Sequence, residues 1–264
     1  MEIIGVIKLD PLVGDLRHRN MNQVISNALY DAEQLQKGGV DSILLKNTTP
    51  EYLRERRFDS YLGCYSGFDQ LAAYAIAAQR VVKNSDVPVG ISFLRGFPHN
   101  DIFSCIPALS IAKAVRGRFV RVPSNAGKFE DDRLPMYIQE NGMDDISILA
   151  DVEQGTYSAG EPTPYAEIKP DILGIADELV VVGSSIYNLP APDCVKAFKE
   201  ALPKIRISAG VVLSDSVPEG DPRFNANPEY GKLSIADAIF LDDHIDKAGR
   251  KDAFLVKQFR EILG

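Results

Sequence analysis

Short apolar runs alternate along this chain with longer segments in which apolar residues recur every three to four positions. A short apolar run between turn residues is typical of a buried strand, and the longer period is typical of an amphipathic helix. The pattern predicts strands over residues 3–9, 40–45, 87–94, 119–122, 146–152, 179–182, 205–208 and 235–241. For residues 236 and 237 the alternative is the end of a helix. It predicts helices over residues 21–37, 67–83, 102–115, 134–139, 166–176, 193–202 and 252–263. Pro107 indicates either a kink in the third of these helices or a later start.

This alternation of strand and helix predicts an α/β protein whose parallel strands close into a (β/α)8 TIM barrel. The chain has 264 residues and no stretch that resembles a linker, so we expect residues 1–264 to form a single barrel domain. A doubly wound open sheet is the alternative. This sequence lacks the glycine-rich fingerprint that dinucleotide-binding sheets of that kind carry after their first strand.

The fifth predicted strand ends in two carboxylates, Asp151 and Glu153, which flank the apolar Val152. Successive side chains of a strand point to opposite faces, so these two acids are expected on the same side. A buried strand that carries charges only at its C-terminal end is typical of a parallel barrel where it meets its ligand. The other predicted strands should therefore show the same arrangement.

Polar or charged residues do follow most of the other strands, which is where the chemistry of a TIM barrel is found. Burying unpaired charge is costly, so these residues should either pair with one another or bind something. Our candidate catalytic residues are Asp151, Glu153 and Lys46. Our candidate substrate-binding residues are Asn47, Arg95, Arg121, Ser184, Gly210 and Asp242.

Three arrangements of these residues stay open. Asp151 and Glu153, with Lys46 or Arg121 nearby, can supply an acid and a base with separated pKa values. Asp151, Glu153 and Asp242 form an oxygen set suited to a divalent metal such as magnesium, although we assign no metal ligand. The third arrangement is a ring of ion pairs that only holds the mouth of the barrel together.

A phosphate group is commonly gripped after strands seven and eight of a TIM barrel. The segment Ser208-Ala209-Gly210 fits that role after strand seven. Asp242 and Asp243 follow strand eight, where two carboxylates repel an anion unless a cation bridges them. The residues after strand eight therefore argue against a phosphate site, and those after strand seven argue for one.

Composition narrows the class of protein further. The chain carries 37 Asp and Glu against 29 Lys and Arg, so we expect no nucleic-acid partner. Its three cysteines lie far apart without metal-ligand spacing, and no signal peptide or membrane span is visible, which predicts a cytoplasmic protein. Residues 48–66 and 214–232 are polar and irregular, as functional loops are.

Six segments occur along the chain in the order IGVIKLDPLVGD, ALYDAEQLQKGGVDSILLKN, VPVGISFLRG, ALSIAKAVRGRFVRV, ILADV and VVVGSS. Together they resemble the BtpA/SgcQ family of predicted TIM-barrel proteins. Carried over by position, the matching candidates are Asn47, Arg95, Arg121, Asp151, Gly183, Ser184 and Gly210. Glu153 departs from the family pattern, because the relatives tend to be basic there.

The resemblance implies one of two functions. We expect an enzyme that acts by acid–base or metal-assisted chemistry on a small polar molecule, sugar-like or nucleoside-like and phosphorylated or not. The alternative is a non-catalytic assembly or stability factor, peripherally associated with the membrane, of the photosystem I biogenesis type. We also expect a homo-oligomer.

Overall fold

Eight parallel strands close into a barrel in which each strand pairs with the next and β8 pairs with β1. The computed structural model describes residues 1–13, 17–47, 68–93, 105–122, 133–153, 174–183, 189–210, 228–242 and 245–264. The strands are β1 (Glu2–Lys8), β2 (Ser42–Lys46), β3 (Val89–Ser92), β4 (Phe119–Val122), β5 (Ser147–Glu153), β6 (Glu178–Val182), β7 (Arg206–Gly210) and β8 (Ala238–Leu241). The predicted TIM barrel is confirmed.

Helices follow the strands in the order that the apolar periodicity predicts. They are α1 (Met21–Gly38), α2 (Phe68–Asn84), α3 (Cys105–Val115), α4 (Arg133–Glu140), α5 (Pro192–Ala201) and α6 (Ala253–Leu263). Asn20 caps α1 by accepting from the Gln23 amide, and Asp252 caps α6. A short hairpin, β9 (Asp246–Lys247) and β10 (Arg250–Lys251), precedes α6.

The structure corrects the predicted chain path at several points. Helix α3 is described from Cys105 onwards, with Pro107 as its third described residue, and the predicted helical residues 102–104 lie outside the described residues. Residues 228–232, predicted as irregular loop, belong to a 3-10 helix, Pro228–Ile235, that packs against α6. Strand β8 starts at Ala238 rather than at residue 235, which agrees with the alternative of a helix that ends near residues 236 and 237. The β9–β10 hairpin was not predicted. Residues 48–66, 214–227 and most of the predicted helix 166–176 lie outside the described residues.

Side chains alternate between two apolar layers. One layer fills the barrel, with Ile4, Val6, Leu44, Phe119, Leu149, Val180, Val182, Ala238 and Phe240. The other layer packs the outer face of the sheet against the helices. Gly90 of β3 belongs to the inner layer, because a Cβ atom there would lie 2.1 Å from the ring of Phe119. The absent side chain of Gly90 is therefore what admits this ring to the barrel.

Three aspartates tie neighbouring strands together at the N-terminal end of the barrel. Each stands just before an even-numbered strand and accepts a hydrogen bond from the first part of the preceding strand. The side-chain bonds join Asp41 to the Ile3 amide (2.7 Å), Asp177 to the Ile148 amide (2.8 Å) and Asp237 to the Ile207 amide (2.8 Å). In each pair the aspartate N–H also donates back to the carbonyl of the same isoleucine.

The fourth equivalent position carries Arg118, which has no acceptor on its side chain. Its amide donates to the Val89 carbonyl at 2.8 Å. Of the two hydrogen bonds that each aspartate makes with its isoleucine, only the backbone one therefore has a counterpart between β3 and β4. Asp237 is also bound by Lys199 Nζ at 2.8 Å. Burial opposes its ionisation, but the bonds from Lys199 and the Ile207 amide hold the pKa of this carboxyl below its ordinary value.

We predict that Asp177→Ala lowers the free energy of unfolding by about 1 kcal/mol, because the Ile148 amide loses its side-chain acceptor. Urea unfolding measures the change. Asp177→Asn keeps an acceptor oxygen and should lose less. The exposed Asp144 supplies the matched control, Asp144→Ala, which should stay within about 0.5 kcal/mol of the parent. An equal loss of unfolding free energy in the two alanine variants would contradict a stabilising role for the hydrogen bond between Asp177 and the Ile148 amide.

Candidate functional site

The described candidate side chains lie at or just after the C-terminal ends of the barrel strands. Lys46 ends β2, Asp151 lies near the end of β5 and Asp242 follows β8, and all three are buried. The other buried candidates are Asn47 after β2, Arg121 in β4 and Gly210 at the end of β7. Arg95, Ser184 and the side chain of Glu153 lie outside the described residues, and the Glu153 backbone pairs with Val182 of β6.

Lys46 and Asp242 form a buried ion pair across the end of β1. The lysine Nζ donates to Asp242 Oδ2, and the two side chains are 0% and 4% exposed. Strand β1 lies between β2 and β8, and its last residue, Lys8, is the register partner of Lys46. The pair therefore joins the two strands that flank the first strand of the barrel.

A second lysine reaches the same carboxylate from the hairpin. Lys251 Nζ donates to the Asp242 carbonyl at 3.1 Å and to Asp246 Oδ1 at 2.5 Å, and it lies 3.7 Å from Asp242 Oδ1. That last distance is a charge contact, too long for a hydrogen bond. Asp242 Oδ1 is buried and has no hydrogen-bond partner among the described residues.

The charge around Asp242 determines its protonation state. Burial favours the neutral acid, but the positive charges of Lys46, Lys251 and Lys8 outweigh that effect. They hold the pKa of the Asp242 carboxyl well below its usual range. Asp242 is therefore an ionised carboxylate at neutral pH, although it is buried.

Arg121 forms the second buried ion pair and crosses the barrel interior. Its Nε donates to Asp151 Oδ1 at 2.6 Å, and its guanidinium carbon lies 4.5 Å from the centre of the Phe240 ring. A Cβ on Gly210 would lie 3.2 Å from Arg121 Nη2, so the glycine leaves room for the guanidinium. The same Cβ would lie 3.1 Å from Val180 Cγ1, so Gly210 packs against both side chains, and its predicted substrate binding stays a prediction.

The β9–β10 hairpin positions Lys251, which the sequence analysis missed. Arg250 binds Asp10 at 2.7 Å and Asp31 at 3.1 Å, and the Lys251 amide donates to Asp31 Oδ1 at 3.1 Å. Burial raises the pKa of Asp31 despite these contacts. Ala248 and Gly249 both have positive φ and form the turn of the hairpin. Gly249 was therefore the residue from which a hairpin turn could have been predicted.

Tyr74 of α2 fixes the ends of β2 and β3. Its hydroxyl lies 2.7 Å from the carbonyl oxygen of Leu45 and 3.3 Å from that of Ser92. Complete burial raises the pKa of this phenol, so it stays a hydrogen-bond donor. The backbones that carry Lys46 and Ser92 are consequently held together.

The opposite end of the barrel also carries charge, in a cavity of about 330 Å³. There Arg206 binds Glu2 at 2.9 Å and the buried Glu178 at 3.0 Å, and Ser208 Oγ donates to Glu178. Burial raises the pKa of Glu178. Residues at this end of a TIM barrel generally serve stability, so we look for chemistry at the C-terminal mouth.

The mouth thus presents two buried ion pairs, with further lysines beside one of them. No group of three or more His, Cys, Asp or Glu side chains suited to a metal ion occurs within the described ranges. The proposed oxygen set of Asp151, Glu153 and Asp242 is untested, because the Glu153 side chain is not among them. No helix in the part of the chain that the structure describes is long and apolar enough to cross a membrane.

We predict that Asp151→Ala lowers the free energy of unfolding by about 3 kcal/mol, because it leaves the buried charge of Arg121 without this carboxylate. Replacing both partners, Arg121→Met with Asp151→Leu, removes the charge as well and should recover most of the loss. Urea unfolding of the single and double variants measures the difference. A double variant no more stable than Asp151→Ala would contradict a direct coupling of the two residues.

Comparison with known proteins places the chain in a family. Residues 1–215 match the BtpA family model. An uncharacterised protein of Pyrococcus furiosus is 31% identical over 79% of this chain and 78% of its own length. The photosystem I biogenesis protein BtpA of Synechocystis is 29% identical over 71% of this chain and 64% of its own length. The match to an Archaeoglobus fulgidus protein, 35% identical, spans 46% of this chain and only 42% of that relative.

Solved structures resemble the chain in fold. A tryptophan synthase alpha-subunit mutant from Pyrococcus furiosus superimposes with a TM-score of 0.59 at 13% identity, covering 100% of this chain and 98% of that one. Phosphoribosyl anthranilate isomerase from Thermococcus kodakaraensis gives a TM-score of 0.53 at 10% identity, covering 100% and 99%. Such low identity supports the barrel fold alone. The extent of the family match and the Pyrococcus furiosus relative show that this TIM-barrel chain belongs to the BtpA family.

Proposed function

We propose that this protein is an enzyme that binds a small polar molecule, sugar-like or nucleoside-like, at the C-terminal mouth of its barrel. The substrate would be phosphorylated or would carry only hydroxyl groups. The observation that carries the proposal is the Asp242 carboxylate, buried among Lys46, Lys251 and Lys8 with Oδ1 free of hydrogen bonds within the described residues. A strongly perturbed carboxyl at the functional end of a barrel is characteristic of binding and catalytic sites.

The low pKa of Asp242 decides its role. A carboxylate with a low pKa holds a proton weakly, so it suits a hydrogen-bond acceptor better than a general base. In this proposal Asp242 Oδ1 accepts a hydrogen bond from a substrate hydroxyl. A charge-assisted bond of this kind is shorter and stronger than a bond between neutral groups.

Lys46 is the proposed catalytic partner. Its ammonium group is fully buried at the end of β2, where it can stabilise negative charge that develops on a substrate oxygen. Arg121, held by Asp151 at 2.6 Å, would orient the substrate from the β4 side. Asp151 and Glu153 stay our candidates for the general base in acid–base catalysis on this substrate.

The test is ligand-induced thermal stabilisation across sugars, sugar phosphates and nucleosides, followed by detection of turnover by proton NMR. A ligand that binds only the folded protein raises its melting temperature. We predict that Asp242→Asn weakens binding of any hit at least tenfold, because it removes a charged acceptor that contributes about 1.5–3 kcal/mol. Lys46→Met should abolish turnover.

Glu178→Gln is the matched control, because Glu178 is also a buried carboxylate inside the same barrel but lies at the opposite end. It should bind and turn over the hit as the parent does. Circular dichroism verifies that each variant is folded. A folded Asp242→Asn variant with parental affinity for every hit would overturn the proposed site.

A non-catalytic assembly factor is the second candidate, and two observations favour it. One relative is named for photosystem I biogenesis. The described strand-end charges also pair with one another, Lys46 with Asp242 and Arg121 with Asp151, as in a ring that serves stability. Under this alternative the protein co-purifies with a membrane complex, and charge-neutralising variants of the mouth leave that association intact.

A further inference from the structure

A buried hydroxyl at the end of β3 is not used by the ion pairs of the mouth. The Ser92 side chain is 0% exposed, and its Oγ has no hydrogen-bond partner among the described residues. Buried polar groups in folded proteins are almost always hydrogen-bonded, because an unsatisfied one loses its contact with water without replacement. Alanine at this position would avoid this cost. We therefore expect the Ser92 hydroxyl to have a hydrogen-bond partner.

The position of Ser92 indicates what that partner is. Ser92 and Lys46 are register partners on adjacent parallel strands, and Lys46 has the same relation to Lys8 on its other side. Register partners point to the same face about 5 Å apart, and Lys46 points into the barrel mouth, where it contacts Asp242. The hydroxyl therefore points into the mouth from the strand next to the one that carries Lys46.

The chemistry of these neighbours selects an anion. Lysine ammonium groups only donate hydrogen bonds, and a serine hydroxyl can donate one as well. An oxyanion has several lone pairs and can accept from all of them at once, with its charge balanced by the lysines. A neutral hydroxyl of a sugar has fewer lone pairs and no charge to offset, so it fits this position less well.

We propose that Ser92 is a substrate-binding residue whose hydroxyl donates to an oxyanion oxygen, carboxylate or phosphate, seated beside Lys46. The inference rests on the proposed function, which it sharpens by assigning the substrate an acidic group. Tyr74 supports the geometry, because its hydroxyl lies 3.3 Å from the Ser92 carbonyl and so restrains the end of β3. Asp242 then binds a hydroxyl group elsewhere on the same substrate.

The experiment is isothermal titration calorimetry of the full chain with inorganic phosphate and with acetate. The two anions distinguish a site for a phosphoryl group from a site for a carboxylate group. Each hit from the metabolite panel is titrated in parallel. We expect the parent to bind one of the two anions, and Ser92→Ala to bind it about tenfold more weakly. Ser92→Thr keeps the hydroxyl and should bind within about threefold of the parent.

Urea unfolding separates this role from a structural one. Ser92→Ala should be at least as stable as the parent, because it removes a buried hydroxyl that has no partner among the described residues. If Ser92→Ala binds both anions and every panel hit as the parent does, the inference is overturned. The hydroxyl then either binds a water molecule or has no hydrogen-bond partner. The proposed function survives that result when Asp242→Asn still weakens the panel hit, and both fail when the parent binds nothing.

Discussion

Closure of the barrel is the constraint on which the candidate site depends. Strand β8 pairs with β1, and this brings Asp242 to the same end of the barrel as Lys46 and Lys8. The three residues come from distant parts of the sequence, and an open sheet would leave β8 at an edge away from β2. Removing any one of these charges from its partners would leave the others buried at considerable cost. Fold and site are therefore one arrangement.

The two ion pairs described at the mouth differ in what surrounds them. Arg121 lies across the interior between Asp151, Phe240 and Gly210, so it fills space as a core residue does. Asp242 lies among several cations and keeps one oxygen without a hydrogen bond in the described part of the chain. The first arrangement fills the barrel interior and balances charge there, whereas the second keeps an ionised acceptor for which packing offers no reason.

The barrel could be predicted from the sequence because its strands are apolar on both faces, and apolar runs are a local property. The charged mouth could be predicted for the same reason, since Asp151 and Asp242 interrupt such runs at their ends. Which charges pair could not be predicted, because the pairing is set by strand order around the barrel. Ser92 escaped notice as one more small polar residue. A glycine in a buried strand indicates close approach of another group, and the described groups that approach Gly210 are Val180 and Arg121.

The hairpin has a consequence for how the mouth is made during synthesis. Arg250 binds Asp31, a residue 219 positions earlier, and Lys251 completes the charge around Asp242. Domains generally fold as units, and contacts of such long sequence separation are slow to form. A nascent chain that ends before the hairpin has neither Lys251 near Asp242 nor Arg250 near Asp31. The charged mouth therefore cannot be complete until residue 251 has been synthesised and the hairpin has formed.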